Sequence, residues 1–251
     1  MSPPNSEENK SIPNIMAPIN SYEGGVKVVD AGADEVYCAV QIPDIKDFVL
    51  YRGPSSQIPS YEELGLVVKY AHDHGAKVDL VINHPYMVHE TEKHIRNHIR
   101  SCVDQGVDAL IVGDFGILHN IRKLNVEVPL IASTYLVSMN SEAVRFLEEQ
   151  GYSRAVLERH LIFDEIKRIV GSTNMDIEIL IHGGGCSNIN ASCYLYHHQF
   201  PELIDAQRAS NTSTPCALPF RLQNLNDPQD VSENVPVMAA FEYCSVCNLL
   251  K

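Results

Sequence analysis

The chain has 251 residues, 45% of them hydrophobic and 20% charged, with a formal net charge of −13 at pH 7. That composition is long and apolar enough for one sizeable core, and the acidic balance, with no basic run to offset it, disfavours nucleic acid as a partner. No stretch approaches the ~18 uninterrupted apolar residues of a membrane helix, and the polar, acidic opening MSPPNSEENKSIPN is unlike a secretory leader; the expected location is the cytoplasm.

Residues 1–12 lack periodic apolar positions and read as a disordered tail, leaving a single domain over residues 13–251. From Ile15 onward, short apolar runs alternate with amphipathic stretches. IMAP is followed by SYEGGVKVVDAG, DEVYCAV by PSYEELGLVVKYAHDHG, KVDLVIN by HETEKHIRNHIRSCVDQG, and DALIVGD by FGILHNIRKLN. VPLIAST then leads into NSEAVRFLEEQG, SRAVLER into FDEIKRIVG, and MDIEILIHG ends the series. Ser60 and Asn140 are expected N-caps, Glu63 stands three residues after Ser60, and Gly75, Gly106 and Gly151 fall just past helix ends. Strands as continuously apolar as LIVG and LVIN suit a parallel sheet covered by helices.

Seven such units, with VPVMAAFEY near residue 240 supplying an eighth strand, predict an α/β fold, a (β/α)8 TIM-like barrel; a doubly wound open sheet is the alternative. In a barrel the chemistry sits at the C-terminal strand ends. The polar residues there are Asn83, Asp114, Ser133 with Thr134, Glu158 with Arg159, and His182. Taken singly, each has a structural explanation: Asn83 and Asp114 can cap the next helix, and Ser133 and Thr134 can satisfy loop backbone. Five strand ends closing on polar groups argue for function in the set. His94 and His98, spaced i, i+4, have the geometry of a metal pair, but their charged neighbours favour a solvated face.

Seven cysteines in a reducing compartment read as thiols or ligands rather than disulfides. Cys38 and Cys102 sit alone in apolar patterns, whereas Cys186, Cys193, Cys216, Cys244 and Cys247 crowd the last third. In EILIHGGGCSNINASCYLY a strand ends at a glycine triplet that can turn tightly and aim backbone N–H groups at an anion or sulfide, and two thiols follow. Thiolates are the soft donors an iron–sulfur cluster needs, and Cys216 with the Cys244-x2-Cys247 pair can complete the set. Zinc is the alternative, using the Cys244-x2-Cys247 knuckle, although the remaining cysteines are spaced too widely for a second one.

The same segment resembles the collagenase-like peptidase family, peptidase U32. The family signature E-x-F-x-x-G-[SA]-aliphatic-C-x4-G-x-C is met here by Glu178, Leu180, Gly183, Gly184, Gly185, Cys186, Ala191 and Cys193. Upstream, AGADEVYCAV, GVDALIVGDFGIL, PLIASTYLVSMNSEAVRFLEEQG and RAVLERHL resemble further family segments, so the likeness covers most of residues 15–220. It implies two activities that disagree. The family is named for proteolysis, yet several members are iron–sulfur proteins of oxygen-independent hydroxylation, acting on RNA bases or a quinone precursor. In those members four cysteines hold a 4Fe-4S cluster. The corresponding positions here are Cys186, Cys193, Cys216 and either Cys244 or Cys247, with Cys38 a reserve ligand.

The chain has neither a G-x-S-x-G elbow nor an H-E-x-x-H motif, so the cluster is favoured over hydrolysis. The expected protein is a 4Fe-4S hydroxylase or oxidoreductase whose pocket is lined by Asn83, Asp114, Thr134, Arg159 and His182, with Arg159 clamping a substrate carboxylate. The expected substrate is a small molecule or a protein, and a homo- or heterodimer is an allowed assembly. The rivals are a U32-type peptidase and a non-catalytic iron–sulfur or zinc partner subunit. The sequence departs from the family pattern at Leu180, at Gly184-Gly185, at Ala191, and at His160, where a glutamate is expected after Arg159.

Overall fold

The computed structural model describes residues 12–43, 56–83, 89–182, 189–190, 219–220, 223–224, 226–231 and 235–236. The tail at residues 1–11 and all five crowded cysteines lie outside the described residues.

Strand and helix alternate through the described chain as β1 (Met16–Pro18), α1 (Tyr22–Asp30), β2 (Glu35–Val40), β3 (Gln57–Ile58), α2 (Tyr61–Asp73), β4 (Lys77–Ile82), α3 (Glu92–Asp104) and β5 (Ala109–Val112). They continue as α4 (Phe115–Leu124), β6 (Leu130–Ala132), α5 (Ser141–Glu149), β7 (Arg154–Val156), α6 (Phe163–Val170) and β8 (Asp176–Glu178). All pairings in this sheet are parallel, in the order β1-β2-β4-β5-β6-β7-β8, with β3 added at Ala39 and Val40 of β2.

The helices form where expected, and for the expected reasons. Ser60 accepts from the Glu63 N–H and Asn140 from the Ala143 N–H, each satisfying a donor that the first helical turn leaves open. Glu63 does not close the box back onto Ser60; its carboxylate accepts from the Tyr22 N–H and ties α2 to α1. Gly75, Gly106 and Gly151 take φ of +79°, +91° and +83°, the left-handed turn that lets the chain leave a helix and re-enter the sheet. Along α2 the buried positions are Leu64, Val67, Val68 and Ala71, the single stripe of a helix lying on a sheet.

The sheet is curled, and one ion pair shows how far. Arg154 opens β7 and Glu35 opens β2; β4, β5 and β6 separate those strands in the sheet. Yet the guanidinium grips the Glu35 carboxylate with two bonds, Nη1 to Oε2 at 2.6 Å and Nη2 to Oε1 at 3.0 Å. Asp79 of β4 and Glu178 of β8 lie 3.8 and 3.4 Å from the same Nη1. Such a contact across the concave face requires the strands to wrap around a common interior, as in a barrel.

Of the expected eighth strand VPVMAAFEY, residues 237–243 lie outside the described residues. The first two residues of VPVMAAFEY form β12 (Val235–Pro236), which pairs antiparallel with β9 (Pro219–Phe220), while β10 (Gln223–Asn224) pairs antiparallel with β11 (Asp227–Val231). Among the described residues β1 and β8 are therefore the edges of the parallel path.

The solvated face expected around His98 is also corrected. His98 is fully buried on the stripe Ile95, His98, Ile99 and Cys102 of α3, with Nδ1 3.0 Å from the Tyr61 hydroxyl. Burial lowers its pKa to about 3, so it is a neutral core imidazole. Among the described residues no group of three or more His, Cys, Asp or Glu is placed to hold a metal ion.

Candidate functional site

The C-terminal strand ends gather a ring of polar groups, and the structure gives them different work. Asn83 follows β4 directly, is buried, and its Oδ1 has no hydrogen-bond partner among the described residues. It packs so closely on Gly113, just past β5, that a Cβ there would lie 2.8 Å from Asn83 Oδ1 and 3.1 Å from Tyr135 Cβ. Glycine is required at 113 by this close approach, not by its torsion angles.

Asp114 caps α4, its Oδ1 accepting from the Ile117 N–H at 3.0 Å. Ser133 is buried, and its Oγ accepts from the Tyr135 N–H at 3.2 Å, starting a short 3₁₀ turn over Thr134–Leu136. That turn ends at Val137 with φ +55°, a conformation a β-branched residue rarely adopts, closed by the Val137 N–H on the Thr134 carbonyl at 3.0 Å. Backbone strain of this kind, held by neighbouring bonds, sits directly at the barrel mouth.

Past β7 the chain stays in the sheet for two more residues: the Leu157 N–H reaches the Glu178 carbonyl at 2.9 Å and the Glu158 N–H reaches the Ser138 carbonyl at 3.2 Å. The Glu158 side chain is therefore delivered into the mouth fully buried. Its Oε1 accepts from the Arg159 N–H at 3.1 Å and from His160 Nδ1 at 3.0 Å, and lies 3.5 Å from Arg159 Nε. Its Oε2 accepts from the Asn190 N–H at 3.2 Å, while the Arg159 guanidinium donates to Asn190 Oδ1. Asn190 belongs to the segment between Cys186 and Cys193.

Of the expected pocket residues, Asn83, Thr134 and Arg159 thus follow the ends of three different parallel strands, Asp114 is a helix cap, and His182 is solvent-exposed beyond β8. Glu158, paired with Arg159 in the sequence but given no role there, is the buried centre of the local bonding. Cys38 is buried too, and burial with the Asp79 charge pushes its thiol up to about 12, the opposite of what a metal-ligating thiolate needs.

Below the mouth, the interior cluster is unevenly charged. Burial, then the Glu35 charge, raise Asp79 to about 7. Burial also pushes at Glu35, but hydrogen bonds from Arg154 and Asn14 prevail and hold it below the ordinary carboxylate range. Glu178, the acid that opens the cysteine signature, is raised chiefly by burial.

Residues 20–249 match the family model described as Peptidase family U32. The chain belongs to peptidase family U32. This U32 protein is 32% identical over 169 residues to the 23S rRNA 5-hydroxycytidine C2501 synthase of Escherichia coli (strain K12), a match covering 66% of this chain and 24% of that protein. It is 30% identical over 200 residues to a collagenase of Porphyromonas gingivalis (strain ATCC BAA-308 / W83), covering 74% of this chain and 45% of the collagenase. The matched region is thus less than half the length of either curated relative. Among solved structures, the U32 peptidase Mk0906 aligns with a TM-score of 0.59 at 16% identity, covering 95% of this chain and 94% of that one, a likeness of fold. Among the described residues no helix is long and apolar enough to cross a membrane.

Proposed function

We propose that this U32 protein is an iron–sulfur enzyme of oxygen-independent hydroxylation, with a 4Fe-4S cluster held by Cys186, Cys193, Cys216 and one of Cys244 and Cys247. The observation that carries the reading is the seat of Ile189–Asn190. Asn190, which lies between Cys186 and Cys193 in the sequence, is bonded to Glu158 and Arg159 at the C-terminal end of β7, the face on which barrels of this architecture do their chemistry. The donor set fits such a group, since thiolates are soft ligands suited to iron–sulfur clusters. A bound cluster would supply one-electron redox chemistry and a Lewis-acidic iron.

The chain's own residues would bind and orient the substrate. Asn83 Oδ1, buried at the mouth, is an acceptor for a substrate N–H or O–H; His182, exposed beyond β8, offers an imidazole for hydrogen bonding to substrate. Arg159 is already engaged with Asn190 and Glu158, so it shapes the mouth as well as offering charge to a substrate carboxylate.

The net charge of −13 favours a small molecule or a protein as substrate. RNA is the second reading, favoured by the relative named for 23S rRNA hydroxycytidine synthesis. Anaerobic purification, iron and sulfide assay, and visible and EPR spectra test the cluster. A brown protein with about four irons per chain, lost in Cys186→Ser and Cys193→Ser, is expected. Colourless protein carrying stoichiometric zinc, or no metal after anaerobic reconstitution, overturns the proposal. Mass spectrometry of nucleosides from cells with and without the gene separates the substrates: loss of a hydroxylated nucleoside selects RNA, and unchanged nucleosides select the other class. Gelatin cleavage abolished by a chelator would instead establish the peptidase.

A further inference from the structure

A fully buried carboxylate is costly to hold unless donors surround it, and both oxygens of Glu158 accept hydrogen bonds. Two of its donors are local, the Arg159 N–H and His160 Nδ1. The third, the Asn190 N–H, comes from 32 residues along the chain, and Arg159, held beside the carboxylate, adds a bond to the Asn190 side chain. Capping the end of β7 requires only the local donors. The two bonds to Asn190 serve another purpose: one holds its backbone N–H and the other its side chain, four residues after Cys186 and three before Cys193.

We infer that Glu158, with Arg159 as its second arm, is the positioning residue that clamps Asn190 onto the end of β7 and so helps retain the metal centre proposed for the cysteines that flank it in the sequence. The inference rests on the cluster reading above. His160 belongs to the same device. Where the resembled family segment carries a glutamate after the arginine, this chain has an imidazole whose Nδ1 bonds the Glu158 carboxylate two residues earlier.

The test uses the full chain, reconstituted anaerobically, as wild type, Glu158→Ala, Glu158→Gln and Asn190→Ala. Two quantities are read: hydrogen exchange of the peptide spanning residues 186–193, and the rate at which iron is lost to a ferrous chelator. Glu158→Ala is expected to accelerate both by about tenfold or more, the scale of losing a bond to a charged group. Glu158→Gln, which keeps one acceptor oxygen, falls between it and wild type. Asn190→Ala removes only the arginine arm and gives about a threefold change, since its backbone N–H still reaches Glu158. EPR spectra of the reduced centre should shift in Glu158→Ala, which a purely structural loss of helix or strand content would not produce.

Wild-type exchange and wild-type iron loss in Glu158→Ala overturn the inference. Should that variant fail to fold, the same result in both Glu158→Gln and Asn190→Ala overturns it. A wild-type protein that binds no iron sinks the cluster reading instead, and the exchange measurement still decides whether Glu158 is the clamp.

Discussion

At the scale of single residues, the most unusual groups are the carboxylates under the barrel mouth. Asp79, pushed up to about 7 by burial and by Glu35, binds a proton in the folded protein across a pH range where the unfolded chain has lost it. A raised acid contributes stability that is complete below its unfolded pKa of about 3.9 and is lost as pH rises through its folded value. Asp79→Asn supplies the same neutral, hydrogen-donating side chain at every pH. Its stability relative to wild type should therefore increase as pH rises from 5 to 8, measured by urea unfolding at each pH. A constant difference across that range would show that Asp79 is ionised throughout. The sequence carried a sign of this group, a charge in the middle of the apolar run KVDLVI, but attention to strand ends passes over strand interiors. His98 was similarly visible: it stands three residues after Ile95 and four before Cys102, on the apolar stripe, although its charged neighbours pointed to solvent.

At the scale of elements, the alternation of strands and helices could be read directly because local signals agree with the fold. Caps at Ser60 and Asn140, glycines at Gly75, Gly106 and Gly151, and continuous apolar strands all act within a few residues of chain. β3 could not be read in this way, since two residues carry no period, and neither could the antiparallel pairs after residue 218, which depend on distant partners. Asp114 shows how an element explains a candidate catalytic residue. As the N-cap of α4 it should tolerate Asp114→Asn with little change in thermal stability, whereas Asp114→Ala should cost about 1 kcal/mol. If Asp114→Asn keeps its stability but loses the proposed activity, the carboxylate has a chemical task besides capping. Gly113→Ala probes the neighbouring contact. A methyl 2.8 Å from Asn83 Oδ1 must displace the amide or the Tyr135 turn, so a loss of about 1–3 kcal/mol is expected in thermal or urea unfolding.

At the scale of the whole molecule, the parallel sheet is held in its curl from inside as well as by the helices outside. Arg154 bonds β7 to β2 across 119 residues of sequence and faces Asp79 and Glu178, so one guanidinium serves three carboxylates from β2, β4 and β8. No local pattern announces such a contact, because it exists only once five neighbouring strands have paired. Replacing a buried ion pair by apolar groups can be neutral, but removing one partner leaves the others charged and desolvated. Arg154→Met should therefore cost about 3–5 kcal/mol at pH 8, read from urea unfolding followed by circular dichroism. The loss should diminish toward pH 5. Without the guanidinium the folded carboxylates have raised pKa values, and the stability that proton binding contributes is present at low pH and lost as pH rises. Adding Glu35→Gln and Asp79→Asn to Arg154→Met should restore much of the loss at pH 8, because the unpaired charges are then gone. If Arg154→Met alone lies within about 1 kcal/mol of wild type, a cost typical of an exposed ion pair, the curl is set by helix packing and the interior charges are bystanders. If the triple variant is no better than the single one, the cost lies in lost side-chain packing rather than in charge.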